Sequence, residues 1–131
     1  MPALGSVSFT TAVTGSTTTP ILGLGEVGSL NIICRFAPTS GGTTCIARVQ
    51  TSLNNGADWY DIARFDFTTT GSVKRACCDG RAGAAVAAMA ALGSESKIDG
   101  LIGDRLRLSV DTTGTFGAGS AVSVDYQTQS N

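Results

Sequence analysis

Two spacings in this chain match sites that carry chemistry in other settings. Gly23-Leu24-Gly25-Glu26-Val27-Gly28 fits G-x-G-x-x-G, and Ser94-Glu95-Ser96-Lys97 fits S-x-x-K. The glycine pattern holds a dinucleotide pyrophosphate only where it ends a strand and opens a helix, whose N-terminal amides meet the negative charge. Here the next residues, Ser29-Leu30-Asn31-Ile32-Ile33-Cys34, read as a strand, so the expected element is a turn. Serine–lysine catalysis needs the serine at the start of a buried helix and the companion elements SDN and KTG. Neither tripeptide occurs in the chain.

Histidine is absent, which removes Ser-His-Asp and Cys-His triads and the commonest general base. Ten acidic residues could in principle supply a carboxylate pair, as in glycosidases. They fall instead on the polar sides of strand-like runs, beside basic residues. Arg64 with Asp66, Asp104 with Arg105 and Arg107, and Asp79 with Arg81 read as ion pairs, which fix registry at an interface better than they stabilise a surface. Trp59 and Tyr60, beside a hairpin tip, are candidates for stacking on a sugar ring, although a single strand Trp usually packs inward. The cysteines at 34, 45, 77 and 78 form no C-x-x-C pair. A zinc site would have to gather four thiols from distant strands, so small apolar core residues, kept reduced in a cytosol, are expected instead. The residues thus point to no catalytic group, cofactor or metal, and to no enzyme.

Composition sets what must position these side chains. The chain has 131 residues, enough for a domain with its own core, and 42% are hydrophobic against 15% charged. Glycine, serine and threonine fill the polar positions, which suits strands and tight turns. A net charge of −1 argues against nucleic acid or anionic lipid as the main partner. No apolar run reaches the ~20 residues of a membrane span, and the first residues show no basic-then-apolar leader.

Period-2 alternation recurs along the chain. Val7 and Phe9, then Leu30, Ile32, Cys34 and Phe36, then Leu106, Leu108 and Val110, then Val122, Val124 and Tyr126 each line one face of a run. The expectation is one all-β domain over residues 1–131, an antiparallel β-sandwich or jelly-roll-like barrel of about eight strands, with residues 1–5 a flexible N-terminal arm. Pro38–Gly42 and Thr112–Gly119 read as hairpin loops. Folding the first about positions 39 and 40 sets Cys34 opposite Cys45 as a candidate cross-strand thiol pair. Asn54-Asn55-Gly56 reads as a tight hairpin between Cys45–Ser52 and Ala57–Phe67. In the latter, Trp59, Ala63, Phe65 and Phe67 share a face by parity, and Ile62 breaks it, which predicts a bulge near Tyr60-Asp61. Ser72–Cys78 is a further strand and Ser94–Gly103 a loop. Ala82–Leu92, between Asp79 as N-cap and Gly93 as stop, reads as a short Ala-rich helix or an extended segment.

The runs Gln50-Thr51-Ser52-Leu53-Asn54-Asn55-Gly56-Ala57-Asp58-Trp59-Tyr60-Asp61-Ile62-Ala63-Arg64-Phe65-Asp66-Phe67 and Lys97-Ile98-Asp99-Gly100-Leu101-Ile102-Gly103-Asp104-Arg105-Leu106-Arg107-Leu108 carry a resemblance. They are similar to a Q-T-S-x-x-x-G-x-x-W-x-D-I-A-x-F hairpin and a later D-G-x-x-G-D-R-[LF]-R strand in small virion proteins of tailed bacteriophages. The resemblance implies a structural role, first of all as a capsid decoration (cement) protein. Such a protein sits on the virion surface, is made in the host cytoplasm, and is often a homotrimer over junctions of the major capsid protein. Cys77-Cys78 and the Ala-rich run depart from the pattern, and no catalytic residue is transferred. On this reading the candidate partner contacts are Met1, Pro2, Ala3 and Leu4 of the arm, Ala84, Ala85, Val86 and Met89 of the Ala-rich run, and Arg105 and Arg107. A tail, neck or head-completion protein is the alternative within the virion. A carbohydrate-binding or adhesion module using Trp59 and Tyr60 is the alternative outside it.

Overall fold

The computed structural model describes residues 2–25, 27–80, 86 and 88–129. Eight strands follow one another: β1 (Ala3–Ser8), β2 (Ser16–Thr17), β3 (Ser29–Ala37), β4 (Thr44–Ser52), β5 (Tyr60–Phe67), β6 (Ser72–Asp79), β7 (Arg105–Thr113) and β8 (Ala121–Gln129). They form two four-stranded antiparallel sheets, ordered β1-β8-β3-β6 and β2-β7-β4-β5. The all-β sandwich read from alternation is therefore the fold. β1 pairs with β8, β2 with β7, β3 with β6 and β4 with β5. The chain is one long hairpin doubled back at the β4–β5 turn and rolled until β3 meets β8 and β4 meets β7. That is the jelly roll.

Alternation explains the layers. Leu30, Ile32, Cys34 and Phe36 of β3, Val122 and Val124 of β8, Cys45, Ala47 and Val49 of β4, and Leu106, Leu108 and Val110 of β7 are all buried in one core shared by both sheets. Phe36 lies 5.1 Å from Phe67 and 5.9 Å from Phe116 by ring centroids, and Phe9 meets Phe116 edge-on at 5.0 Å. Such ring pairs add about 0.5–1.5 kcal/mol each beyond their buried area. The bulge stands where parity placed it: Val49 pairs with Ala63 but Gln50 with Asp61, so Ile62 is the extra residue. Asn55 and Gly56 hold φ of 61° and 87° at the β4–β5 turn, as the Asn-Gly pair requires.

Three expectations need correction, and of the two conformations open to the Ala-rich run the described residues do not take the helical one. Residues 38–42 and 112–119 are not hairpin loops, because β3 and β4, and likewise β7 and β8, lie in opposite sheets. An apolar strand face can meet its sequence neighbour edge to edge or face to face, and alternation is the same for both. Gly42, with φ of 80°, turns the crossover against the Phe116 ring, which fills the space of any side chain there. Cys34 and Cys45 are consequently not cross-strand partners: Cys34 stands between Lys74 and Val124, Cys45 between Phe67 and Thr112, and both are free. The chain from Ala3 onward is not a loose arm, since β1 is bonded to β8 and Leu4 is only 3% exposed. No helix forms over Val86 and Ala88–Leu92; Ala84 and Ala85 lie outside the described residues.

Burial pushes the Cys34 thiol up to about 12, with the neighbouring Cys45 adding to it, and burial likewise raises Cys45 to about 12 and Cys78 to about 11. Only Cys77 is exposed. A thiol reagent at pH 8 is expected to titrate one cysteine in the native protein, none in Cys77→Ser, and four after unfolding. The raised thiols hold their protons more tightly folded than unfolded. Their contribution is therefore intact below pH 9.0 and is lost as pH climbs toward 12. Gly42→Ala forces a left-handed Ala into the Phe116 ring and is expected to cost about 2–4 kcal/mol in urea denaturation. Gly93→Ala, with nothing within 4 Å of the added carbon, is expected to be neutral or stabilising by up to about 1 kcal/mol.

Candidate functional site

The bulge at Ile62 decides which residues reach the outer face of the β2-β7-β4-β5 sheet. Without it Asp61 would point inward with Ala63 and Phe65. With it Asp61 pairs with Gln50 on the outer face, and Thr51, opposite Tyr60, turns into the interior. Trp59 follows Asp61 outward, which corrects its placement beside Phe65 and Phe67. Its ring lies under the Arg107 guanidinium at 4.4 Å.

Asp61 is the hub of a polar network there, with a side chain 6% exposed. Gln50 Nε2 donates to Asp61 Oδ1 at 2.8 Å, the Leu92 amide donates to Oδ2 at 3.2 Å, and Arg48 Nε stands 3.4 Å from Oδ2. Arg48 also bonds Asp111 of β7. Arg107 Nε donates to Gln50 Oε1 at 2.8 Å, and the same burial lowers the pKa of the Arg107 guanidinium. Further along β5, Arg64 is bidentate to Asp66, at 2.8 and 3.1 Å, and donates to the Leu92 carbonyl and to Ser94 Oγ. Partial burial pushes the Asp66 carboxyl up, but hydrogen bonds from Arg64 and Ser94 and the charges of Arg64 and Lys74 outweigh it, so it lies below its usual range.

These bonds tie the end of the Ala-rich run to the sheet. Met89, Ala90 and Ala91 close a shallow groove of about 360 Å³ over Gln50, Trp59, Tyr60 and Asp61. The β7 end of the face is clamped as well. Thr51 Oγ1 donates to the Arg105 carbonyl at 2.9 Å and accepts from the Gly103 amide at 2.8 Å, while Arg105 Nη2 reaches Asn55 Oδ1 at 3.3 Å.

The structure brings some candidate contacts together and separates others. Met89, Arg105 and Arg107 gather around the β4–β5 turn, and Val86 and Met89 are exposed. Pro2 and Ala3 are exposed but belong to the other sheet, where the Pro2 carbonyl accepts the Tyr126 amide at 2.9 Å. Leu4 is core, so it is not a contact residue. Met1 lies outside the described residues. Of the ion pairs, Arg64–Asp66 forms, Arg105 lies 3.6 Å from Asp104, and Arg107 turns instead to Gln50 and Trp59; Arg81 is outside the described residues. Gly28, the last glycine of the G-x-G-x-x-G match, leads directly into β3, and Lys97 of the S-x-x-K match pairs with Asp99.

Asp61 and Gln50 are not among the candidate residues, although both stand in the quoted hairpin pattern. The signal that finds them is the bulge, because the residue before an inserted Ile62 has to face outward with Gln50. Among the described residues no group of three His, Cys, Asp or Glu side chains could hold a metal ion. No protein family, curated protein or solved structure matches this chain.

Asp61→Ala leaves Arg48, Gln50 and the Leu92 amide without their shared acceptor. It is expected to cost about 2–4 kcal/mol in urea denaturation and to speed hydrogen exchange at Leu92. Asp61→Asn keeps an acceptor for Leu92 and should lose less.

Proposed function

We propose that this chain is a structural protein of a tailed-phage virion that binds the outer surface of the assembled capsid as a decoration protein. One observation carries the reading. The residues of the two phage-like motifs meet in one place: Gln50, Trp59 and Asp61 of the hairpin motif bond or stack with one another's partners and with Arg107 of the strand motif. Thr51 of the first motif likewise clamps Gly103 and Arg105 of the second. The motifs are thus a single frame whose polar atoms satisfy each other. A frame of this kind orients the Ala-rich run and leaves Val86 and Met89 turned outward, which suits adhesion rather than turnover.

The jelly roll itself does not choose between roles, since capsid, lectin and other domains share it. The groove beside Trp59 has the aromatic and amide lining of a sugar site. Its polar groups are already spent: Asp61 accepts from Gln50 and Leu92, Gln50 accepts from Arg107, and the guanidinium covers the Trp59 ring. That favours the capsid reading over a carbohydrate-binding module.

The mechanism is linkage. A protein that buries surface only across neighbouring capsid subunits adds free energy to the assembled shell alone, and a homotrimer multiplies a modest patch by simultaneous engagement. The major capsid protein is the proposed partner and the virion surface the proposed location.

The purified protein is expected to cosediment with empty heads, and not with unassembled capsid subunits, and to raise the temperature at which heads release their contents. A glycan-array signal abolished by Trp59→Ala, with no head binding, would replace this reading by the sugar-binding one.

A further inference from the structure

The β6 strand closes one edge of the β1-β8-β3-β6 sheet and is bonded on one side only. Its register fixes which backbone groups are left over. The Gly80 amide donates to the Gly28 carbonyl at 2.9 Å, so Cys78, Ala76, Lys74 and Ser72 are the residues that exchange bonds with β3. The intervening residues turn their amides and carbonyls away. For Asp79 both are taken, the amide by Asp99 Oδ1 at 2.9 Å and the carbonyl by the Gly100 amide at 2.6 Å. Among the described residues, none bonds the outward amides and carbonyls of Val73, Arg75 and Cys77. Three consecutive alternate residues therefore present an open ladder.

The side chains of the same three residues stand together on the outer face, paired with Arg35, Ile33 and Asn31 of β3. Val73 is 61% exposed. Cys77 is the exposed thiol. Arg75 differs from the other described cations. Arg35, Arg48, Arg64, Lys74, Lys97 and Arg105 each stand within salt-bridge reach of a carboxylate, and Arg107 is held by Gln50 and Trp59. Arg75 has no partner among the described residues. Beside it lie a groove of about 470 Å³ over Asn31, Ile33 and Gln127, and a cleft of about 390 Å³ toward Glu95, Ser96 and Lys97. The cleft borders the free side of β6, where an added strand would lie, and the groove lies over the outer face, where its side chains could reach.

We propose that the β6 edge binds an extended acidic segment of a partner protein by strand addition, with a partner carboxylate opposite Arg75 and an apolar side chain opposite Val73. Main-chain bonds to Val73, Arg75 and Cys77 would supply affinity and the charge pair would set register. A second copy of this chain fits poorly. The two-fold register that pairs β6 with itself centres on Arg75 and sets it against the same cation of the second copy. Lys74 also points inward across the edge, over the Phe67 ring and onto Glu95, a feature that discourages self-pairing of edges. The inference rests on the reading of the chain as a binding protein. Its probe is a synthetic peptide, so failure of the edge and failure to bind heads are separate results.

The test uses capped peptides Thr-Ser-Glu-Ser-Val and Thr-Ser-Lys-Ser-Val at millimolar concentration, with amide exchange read by NMR on the intact protein and on Arg75→Glu. The expected result is slowed exchange at Val73, Arg75 and Cys77 with the Glu peptide. Preference over the Lys peptide should be about threefold or more, reversed in Arg75→Glu. No protection at these amides, or equal protection by both peptides, overturns the proposal. So does protection without peptide that tracks protein concentration and a dimer in sedimentation, which would assign the edge to a second copy.

Discussion

Two apolar sheet faces have to meet, and almost everything else in this molecule is arranged around that contact. Each long strand carries large apolar side chains at every second position, so each sheet has one face that cannot stay in water. The chain satisfies this by nesting β1 with β8, β2 with β7, β3 with β6 and β4 with β5 and then rolling the stack closed. The core receives side chains from both sheets and from the crossover residue Phe116, and the phenylalanines there interlock rather than merely fill. Because charge is expelled from that core, the polar residues collect on the outer faces, where they are free to organise one another.

One added residue links the two layers. Ile62 enters the core as an extra apolar side chain and, by the same insertion, turns Asp61 outward to meet Gln50. The carboxylate then gathers Arg48, Gln50 and the Leu92 amide, and through Gln50 the Arg107–Trp59 stack. A bulge that re-aims a side chain is a recurrent device of β-structures near functional surfaces. Here it converts a strand irregularity into the anchor of the Ala-rich run. At the far edge of the other sheet the logic is reversed: Lys74 seals the sandwich from inside, while Val73, Arg75 and Cys77 remain open outward.

Alternation made the strands, the core positions Leu30, Ile32, Cys34 and Phe36, and the Ile62 bulge legible in the sequence. It could not say whether consecutive strands pair or stack, because an apolar face looks the same in either case. That is why the crossovers at Pro38–Gly42 and Thr112–Gly119 read as hairpins, and why Cys34 and Cys45 read as neighbours. Val7 and Phe9 carry the same period-2 signal as the other strands, but Leu4 stands out of step with Val7 and enters the core only through the register shift between Ala3 and Gly5, which alternation does not show. The two motifs drew attention to Trp59, Arg105 and Arg107, but the roles of Gln50 and Asp61 needed the three-dimensional register. Nothing in the one-dimensional pattern distinguishes Arg75 from its paired counterparts; only the full set of ion pairs does.

The central claim is that these faces serve adhesion to an assembled shell. Quantitative mass spectrometry of a purified particle tests it most directly. The account predicts a copy number that rises in fixed proportion to the major capsid subunits. A number in the tens or below that disappears with the tail fraction, or the absence of the chain from particles altogether, would contradict it.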